Sequence, residues 1–318
     1  MNGFLVTRLF VVMAAVGAEN GYPSKPIHWI VPFPPGGPTD LLARTVGEKL
    51  SAAWHQPVII ENKPGAAGNL GVEIAAKASA DGYTLVVVPT GNITVNPTLY
   101  PNLPYKQSDL APVTMLATVE NVLVVHPSVQ ARSMQELVAL ARAKPGALTF
   151  ASPGAGSQAH LAGELIKLAA DIDMVHVPYK GVGPALNDLL GGHVSMMFSQ
   201  VSSALPHIQS GKLRALGVAS HKRSPIIPEL PTIAEQGFPD FEAVSWYALM
   251  VAAGTPRDVI RKLHTETTRI LRLPDVKGKL AGLGADAVGS TPEELATTIR
   301  VETARWAEVI RKQRIKPE

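Results

Sequence analysis

Residues 27–54 read IHWIVPFPPGGPTDLLARTVGEKLSAAW, and the order of textures in this stretch sets the fold class. Residues 27–33 are an apolar run of strand length, and 34–40 are rich in chain breakers. Residues 41–54 put Leu41, Leu42, Thr45, Val46 and Leu50 largely on one helical face. Strand, loop and helix in that order open a βαβ unit. The pattern continues outward. PVIIE at 57–61 is a strand, 69–78 is a helix after a glycine-rich loop, and YTLVVVP at 83–89 is a third strand. Short strands alternating with helices predict a parallel sheet with helices on its faces.

The same grammar restarts downstream. VLVVH at 122–126 is a strand, and 133–143 is a helix with Ser133 and Glu136 at capping-box spacing. LTFAS at 148–152 is a strand, 160–170 a helix, 175–178 a strand, and 179–184 leads into a further helix. Residues 194–199 and 215–219 are strands again. The last third is helical over 256–273 and 292–312, with Pro256 and Pro292 in first-turn positions behind Thr255 and Thr291 as N-caps. The chain is therefore expected to be α/β with two lobes, each holding its own sheet. The crossings fall at 120–122 and 243–247, making a two-strand hinge. Lobe one is 21–121 plus 248–318, and lobe two is 122–247.

Composition narrows the function. A length of 318 residues suits two lobes better than one core. Hydrophobic residues make up 46% and charged residues 17%, a globular balance. The net charge of +3 is scattered, with no basic run interleaved with aromatics, so nucleic acid is not an expected partner. There is no cysteine, which excludes disulfides, thiolate metal sites and a thiol nucleophile. The nine histidines form no ligand pair and no H-E-x-x-H, and Ser157 lies outside any G-x-S-x-G elbow. Neither a catalytic set nor a metal nor a cofactor is assigned. No heptad is present, so a monomer is expected. At the N-terminus, Arg8 precedes an apolar run over 9–16 that ends in Gly17 and Ala18. Residues 1–20 read as a secretory signal peptide, cleaved after Ala18.

Two loops of one type stand out. Pro34-Pro35-Gly36-Gly37-Pro38-Thr39-Asp40 follows the first strand, and Pro153-Gly154-Ala155-Gly156-Ser157-Gln158 follows LTFAS. Each places glycines at the carboxyl end of a strand and a small hydroxyl residue at a helix start. Glycine lets backbone approach a ligand, and a helix start offers free N–H groups and the positive end of the helix dipole. Such loops bind anions. They are also ordinary turns with helix caps, and it is the recurrence in both halves that favours a site. Tyr179-Lys180-Gly181-Val182-Gly183-Pro184 is a third loop of the kind. No Walker sequence and no G-x-G-x-x-G with an acidic partner is present, so the expected anion is a carboxylate rather than a nucleotide.

Several long stretches resemble one family. YPSKPIHWIVPFPPGGPTDLLAR, VIIENKPGAAGNLG, ADGYTLVV, FASPGAGSQAHLAGELIK, VHVPYKGVGPALNDLLGG and SALPHIQSGKLRALGV are similar to the Bug family, the periplasmic receptors of tripartite tricarboxylate transporters. The resemblance runs from about Tyr22 almost to the C-terminus. It implies a periplasmic-binding-protein fold of the Venus-flytrap type. It implies an organic-acid ligand held largely by backbone and water, and integral membrane subunits as partners. Carried over by motif position, the site comprises Phe33, Gly36, Gly37, Thr39 and Asp40 from the first loop. The second loop supplies Ser152, Gly154, Gly156, Ser157 and His160. Thr90 and Asn92 follow the third strand, and Tyr179, Lys180 and Ser199 complete the set. The chain has Phe198-Ser199-Gln200 where the family often carries Phe-Asp-Asn. The missing acid argues against an amino-acid ligand. The competing readings are an exported α/β enzyme using Ser157 or His160, and a ligand-sensing receptor for a signalling system. Trp246 and Tyr247 fit a cleft wall or a core equally well.

Overall fold

The computed structural model describes residues 21–317. The signal-peptide reading falls on 1–20, outside the described residues. In chain order the first half holds β1 (Ile27–Val31), α1 (Pro38–Trp54), β2 (Val58–Asn62), α2 (Asn69–Ala76), β3 (Thr84–Pro89), α3 (Asn96–Leu99) and β4 (Leu110–Val119). Then come β5 (Asn121–Val125), α4 (Met134–Ala143), β6 (Thr149–Ser152), α5 (Gln158–Ala170), β7 (Val175–Pro178), α6 (Val182–Leu190), β8 (Met196–Gln200), α7 (Val201–Gln209) and β9 (Arg214–Val218). The chain ends with β10 (Ser245–Ala252), α8 (Arg257–Leu271), α9 (Pro274–Gly282), β11 (Ala285–Ala287) and α10 (Pro292–Lys312).

The strands form two sheets, ordered β11-β4-β10-β3-β1-β2 and β7-β6-β8-β5-β9. Each has a parallel trio, β2-β1-β3 in one and β7-β6-β8 in the other. In each, the strand arriving from the other lobe pairs antiparallel with the third member: β10 beside β3, and β5 beside β8. The lobes thus exchange one strand reciprocally. This is the two-lobed binding-protein architecture. The first crossing is the single residue Glu120, and the second is at Ala243 and Val244. Asn121 stitches them together, its Nδ2 donating to Ala243 O at 2.8 Å and to Ser245 Oγ at 3.3 Å.

Both faces of the first sheet are covered, which is why its strands read as unbroken apolar runs. Ile27, Trp29 and Val31 point to the side covered by α1, α8 and α9, whereas Ile30 points to the side of α2 and the start of α10. In the second lobe, Leu123, Phe150 and Phe198 pack under α4 and α5, and Val124, Ala151 and Met197 pack under α6 and α7. α10 divides its apolar face. Leu295 and Ile299 join a core of the first lobe, while Trp306, Val309 and Ile310 join the core under α4 and α5.

Local differences from the sequence reading have plain causes. Thr255, expected to cap α8, instead donates to Ala252 O at 2.7 Å, and Pro256 precedes the helix rather than opening it. Pro292 behind a Thr291 cap does open α10, with Glu294 closing a capping box. The expected helix over 256–273 ends at Leu271, and Pro274 starts α9.

Candidate ligand-binding site

A cavity of about 360 Å³ opens between the lobes at the carboxyl ends of β1, β3 and β6 and the start of β10. That is where open α/β sheets hold their ligands. Its walls include Phe33 after β1, Ala67 before α2, and Pro89, Thr90, Gly91 and Asn92 after β3. Opposite stands the whole turn from Pro153 to Gln158, with Ser245, Trp246 and Tyr247 at the hinge. Among the described residues, no Lys, Arg, Asp or Glu lines it.

The residues after β3 are shaped by a buried amide cluster. The chain leaves β3 in a π-helical turn over Gly91–Val95, wider than an α-turn. Asn69 Oδ1 accepts from Asn92 Nδ2 at 3.1 Å and Asn96 Nδ2 at 2.7 Å, and the Tyr105 hydroxyl donates to Asn92 O at 2.7 Å. Asn92 Nδ2 also donates to Ala67 O at 3.0 Å, holding that residue at φ 53° against the cleft. Thr90 Oγ1 donates to Trp246 O at 2.9 Å and accepts from Trp246 N at 2.7 Å, which locks the turn to β10. Thr90 and Asn92 line the cavity, and Thr90 Oγ1 and Asn92 Nδ2 are engaged in shaping its wall.

The second loop is held from behind. Ser157 Oγ caps α5 by accepting from His160 N at 3.3 Å and donates to Gly154 O at 2.7 Å. Gly154 and Gly156 have φ of 139° and 73°, conformations that L side chains rarely adopt. A Cβ on Gly156 would lie 2.3 Å from Leu99 Cδ2, so that methyl would have to shift, and the φ of 73° would strain any other residue there. The cleft consequently meets the turn from Pro153 to Ser157 and Gln158, the first residue of α5, whose amide has no acceptor within the helix. Ser152 and His160, at 0% and 5% exposure, lie behind this surface and are not among its lining residues.

The first loop is arranged differently. Phe33 lines the cleft, but Gly36, Gly37, Thr39 and Asp40 do not. The Asp40 carboxylate turns inward. It accepts from Gly36 N, Arg44 Nε and Asn62 Nδ2, each at 2.9 Å. Burial works to raise its pKa, but the bonds from Arg44, Gly36 and Asn62 outweigh it and hold the carboxyl below its usual range. A permanent negative charge thus sits in the first turn of α1. Of the remaining expected residues, Tyr179 donates to Asp188 Oδ2 at 2.7 Å, Lys180 is exposed, and Ser199 is buried with its hydroxyl on Gln200 O. None of these three lines the cleft.

Sequence reasoning did not single out Ala67, Gly91, Asn96, Tyr100 or Ser245. Asn96 and Tyr100 lie downstream of the same strand end that pointed to Thr90 and Asn92, so the rule about strand ends could have reached them. Tyr247 lines the cleft, and no group among the described residues bonds its hydroxyl. Burial pushes its pKa up to about 12, so it stays a donor. Trp246 is 2% exposed, and its Nε1 donates to Glu302 Oε1 at 3.0 Å.

A family model described as "Tripartite tricarboxylate transporter family receptor" matches residues 42–315. The chain belongs to this receptor family. Protein BugT of Bordetella pertussis is 40% identical to the receptor over 311 residues, covering 96% of this chain and 95% of BugT. Among solved structures, an R. palustris protein with adipate is 34% identical at a TM-score of 0.78, covering 93% of the receptor and 100% of that chain. MatC from Rhodopseudomonas palustris with bound malate is 32% identical at a TM-score of 0.74, covering 91% and 100%. The receptor therefore has a solute-binding protein's fold and role, and it is not an enzyme.

Proposed function

We propose that this receptor is exported to the periplasm, captures a small organic acid in the cleft between its lobes, and delivers it to the integral membrane subunits of a tripartite tricarboxylate transporter. The ligand class is a di- or tricarboxylate or an aromatic carboxylate. The supporting observation is the cleft wall: glycine backbone and a helix N-terminus from the second lobe, with no ionisable carboxylate or base among its lining residues. Backbone dipoles in a partly closed site attract an anion without a basic side chain. The same wall offers no carboxylate to pair an ammonium group, which favours a plain acid over an amino acid. The volume of about 360 Å³ falls at the small end of the ~300–1,000 Å³ typical of small-molecule sites. Adipate and malate in the two solved relatives are acids of this kind. Export is supported by the charged and apolar pattern of residues 1–20.

Titration calorimetry against succinate, malate, adipate, citrate, nicotinate, terephthalate and glutamate, with a phosphate ester as control, tests this. One plain carboxylate should bind with a Kd of about 1 μM or tighter and remain chemically unchanged. Binding of the phosphate ester alone would sink the carboxylate assignment, and glutamate as the tightest ligand would sink the preference for a plain acid.

A further inference from the structure

Gly156 N donates to His160 Nδ1 at 3.0 Å, tying the cleft-facing loop to a buried ring in the first turn of α5. The His160 ring stacks on His176 of β7 with centroids 3.7 Å apart and planes within 5°. His176 Nε2 lies 2.7 Å from Ser152 Oγ, which donates to Gly154 O at 3.0 Å and accepts from Gly154 N at 3.2 Å. Two stacked imidazoles thus hold the two glycines of the loop from behind, and neither lines the cleft.

An imidazole nitrogen accepts a hydrogen bond only while it is unprotonated. With Nδ1 engaged by Gly156, the proton of the neutral His160 ring belongs on Nε2, which faces Glu164 Oε1 at 3.7 Å. A second proton would set N–H against N–H at the 3.0 Å separation now spanned by the bond, and the loop would have to move. We propose that His160 is a positioning residue that keeps the second glycine loop in its ligand-ready shape only while its ring is neutral, so that acid loosens capture although His160 itself does not line the cleft. This rests on the cleft being the ligand site.

The charged surroundings are few. From its own helix His160 faces Glu164 and Lys167, which pair at 3.0 Å, and from β7 it faces His176. β6 and β8, also packed on α5, carry no titratable side chain. On α10, Glu302 takes bonds from Trp246 and Trp306, and Arg305 turns to Glu242 and Glu302. Burial first, then the neighbouring His160, pushes His176 down to about 4, so the stack opposes a second charge.

Amide exchange of the 153–160 segment in the ligand-free receptor provides a test that needs no cargo. After correction for intrinsic rates, exchange should be about tenfold faster at an acid pH that protonates the ring in the still-folded receptor than at neutral pH. His160→Leu should be fast at both pH values. His160→Asn, which keeps an acceptor at the Nδ1 position but does not titrate, should restore slow exchange at both. Adipate binding by the same three proteins should follow the same order, with the H160N comparison removing the ligand's own ionisation. Equal protection of the wild type at both pH values, or a pH response retained in H160N, would overturn the proposal. Failure of adipate and every other acid to bind would instead strike the ligand assignment and leave the exchange result to decide this one.

Discussion

The loop after β1 and the loop after β6 are spelled alike and held by different chemistry. The first is closed by an ionised carboxylate, with Asp40 clamping Gly36, Arg44 and Asn62. The second is closed without a carboxylate, with Ser152, Ser157 and His160 clamping Gly154 and Gly156. Of the first loop's expected residues only Phe33 lines the cleft, whereas the second loop lines it from Pro153 to Gln158. A carboxylate in the first turn of α1 satisfies the helix dipole internally and repels a second anion. Clamps that carry no carboxylate put no such charge in the first turn of α5. Glycine-rich loops at strand ends are therefore not equivalent as anion sites, and the charge of the clamp separates them.

The largest effect should come from Gly156→Ala. The added methyl meets Leu99 at 2.3 Å at a residue with φ 73°. Affinity should drop about a hundredfold or more and stability by about 3 kcal/mol, from overpacking and backbone strain together. Calorimetry and thermal unfolding check this, and near-normal binding would show that the second loop is not the ligand wall. Asp40→Ala should act on folding instead. It should cost about 2 kcal/mol, because Gly36 N, Arg44 Nε and Asn62 Nδ2 all lose their charged acceptor, while affinity stays within about threefold. The Asp40 carboxyl titrates below its usual value, so its contribution is present above the ordinary carboxylate range and lost as pH falls through it. The variant's acid unfolding arm should accordingly be flatter than the wild type's. A collapse of binding in this variant would erase the contrast between the loops. Smallest is Tyr247→Phe, which removes a donor offered from the hinge and should weaken binding about fivefold. With the hydroxyl pushed up to about 12, the wild-type-to-variant ratio should be flat across neutral pH. A ratio of one would mean that the ligand sits wholly against the second loop and the turn after β3.

The parallel trios were legible because strands buried on both faces read as apolar runs between breakers, as in 27–33 and 148–152. β4 was not, since Pro112 interrupts LAPVTMLATV. The structure tolerates it by a register shift at Leu249/Met250, where Met250 faces Pro112. Boundaries at Thr255 and Pro256 went astray because a threonine before a proline caps equally well as it bonds backward to a turn.

The sequence by itself determined the alternation of strands and helices, the two glycine loops at strand ends and the family, all carried by local periodicity and local motifs. Long-range packing settled which loop lines the cleft, how α10 is shared between lobes, and that the expected site residues His160 and Ser152 lie behind the wall. Those outcomes depend on contacts between residues far apart in the chain, such as Thr90 with Trp246 and Ser152 with His176, and on which way each buried polar group turns to find its partner.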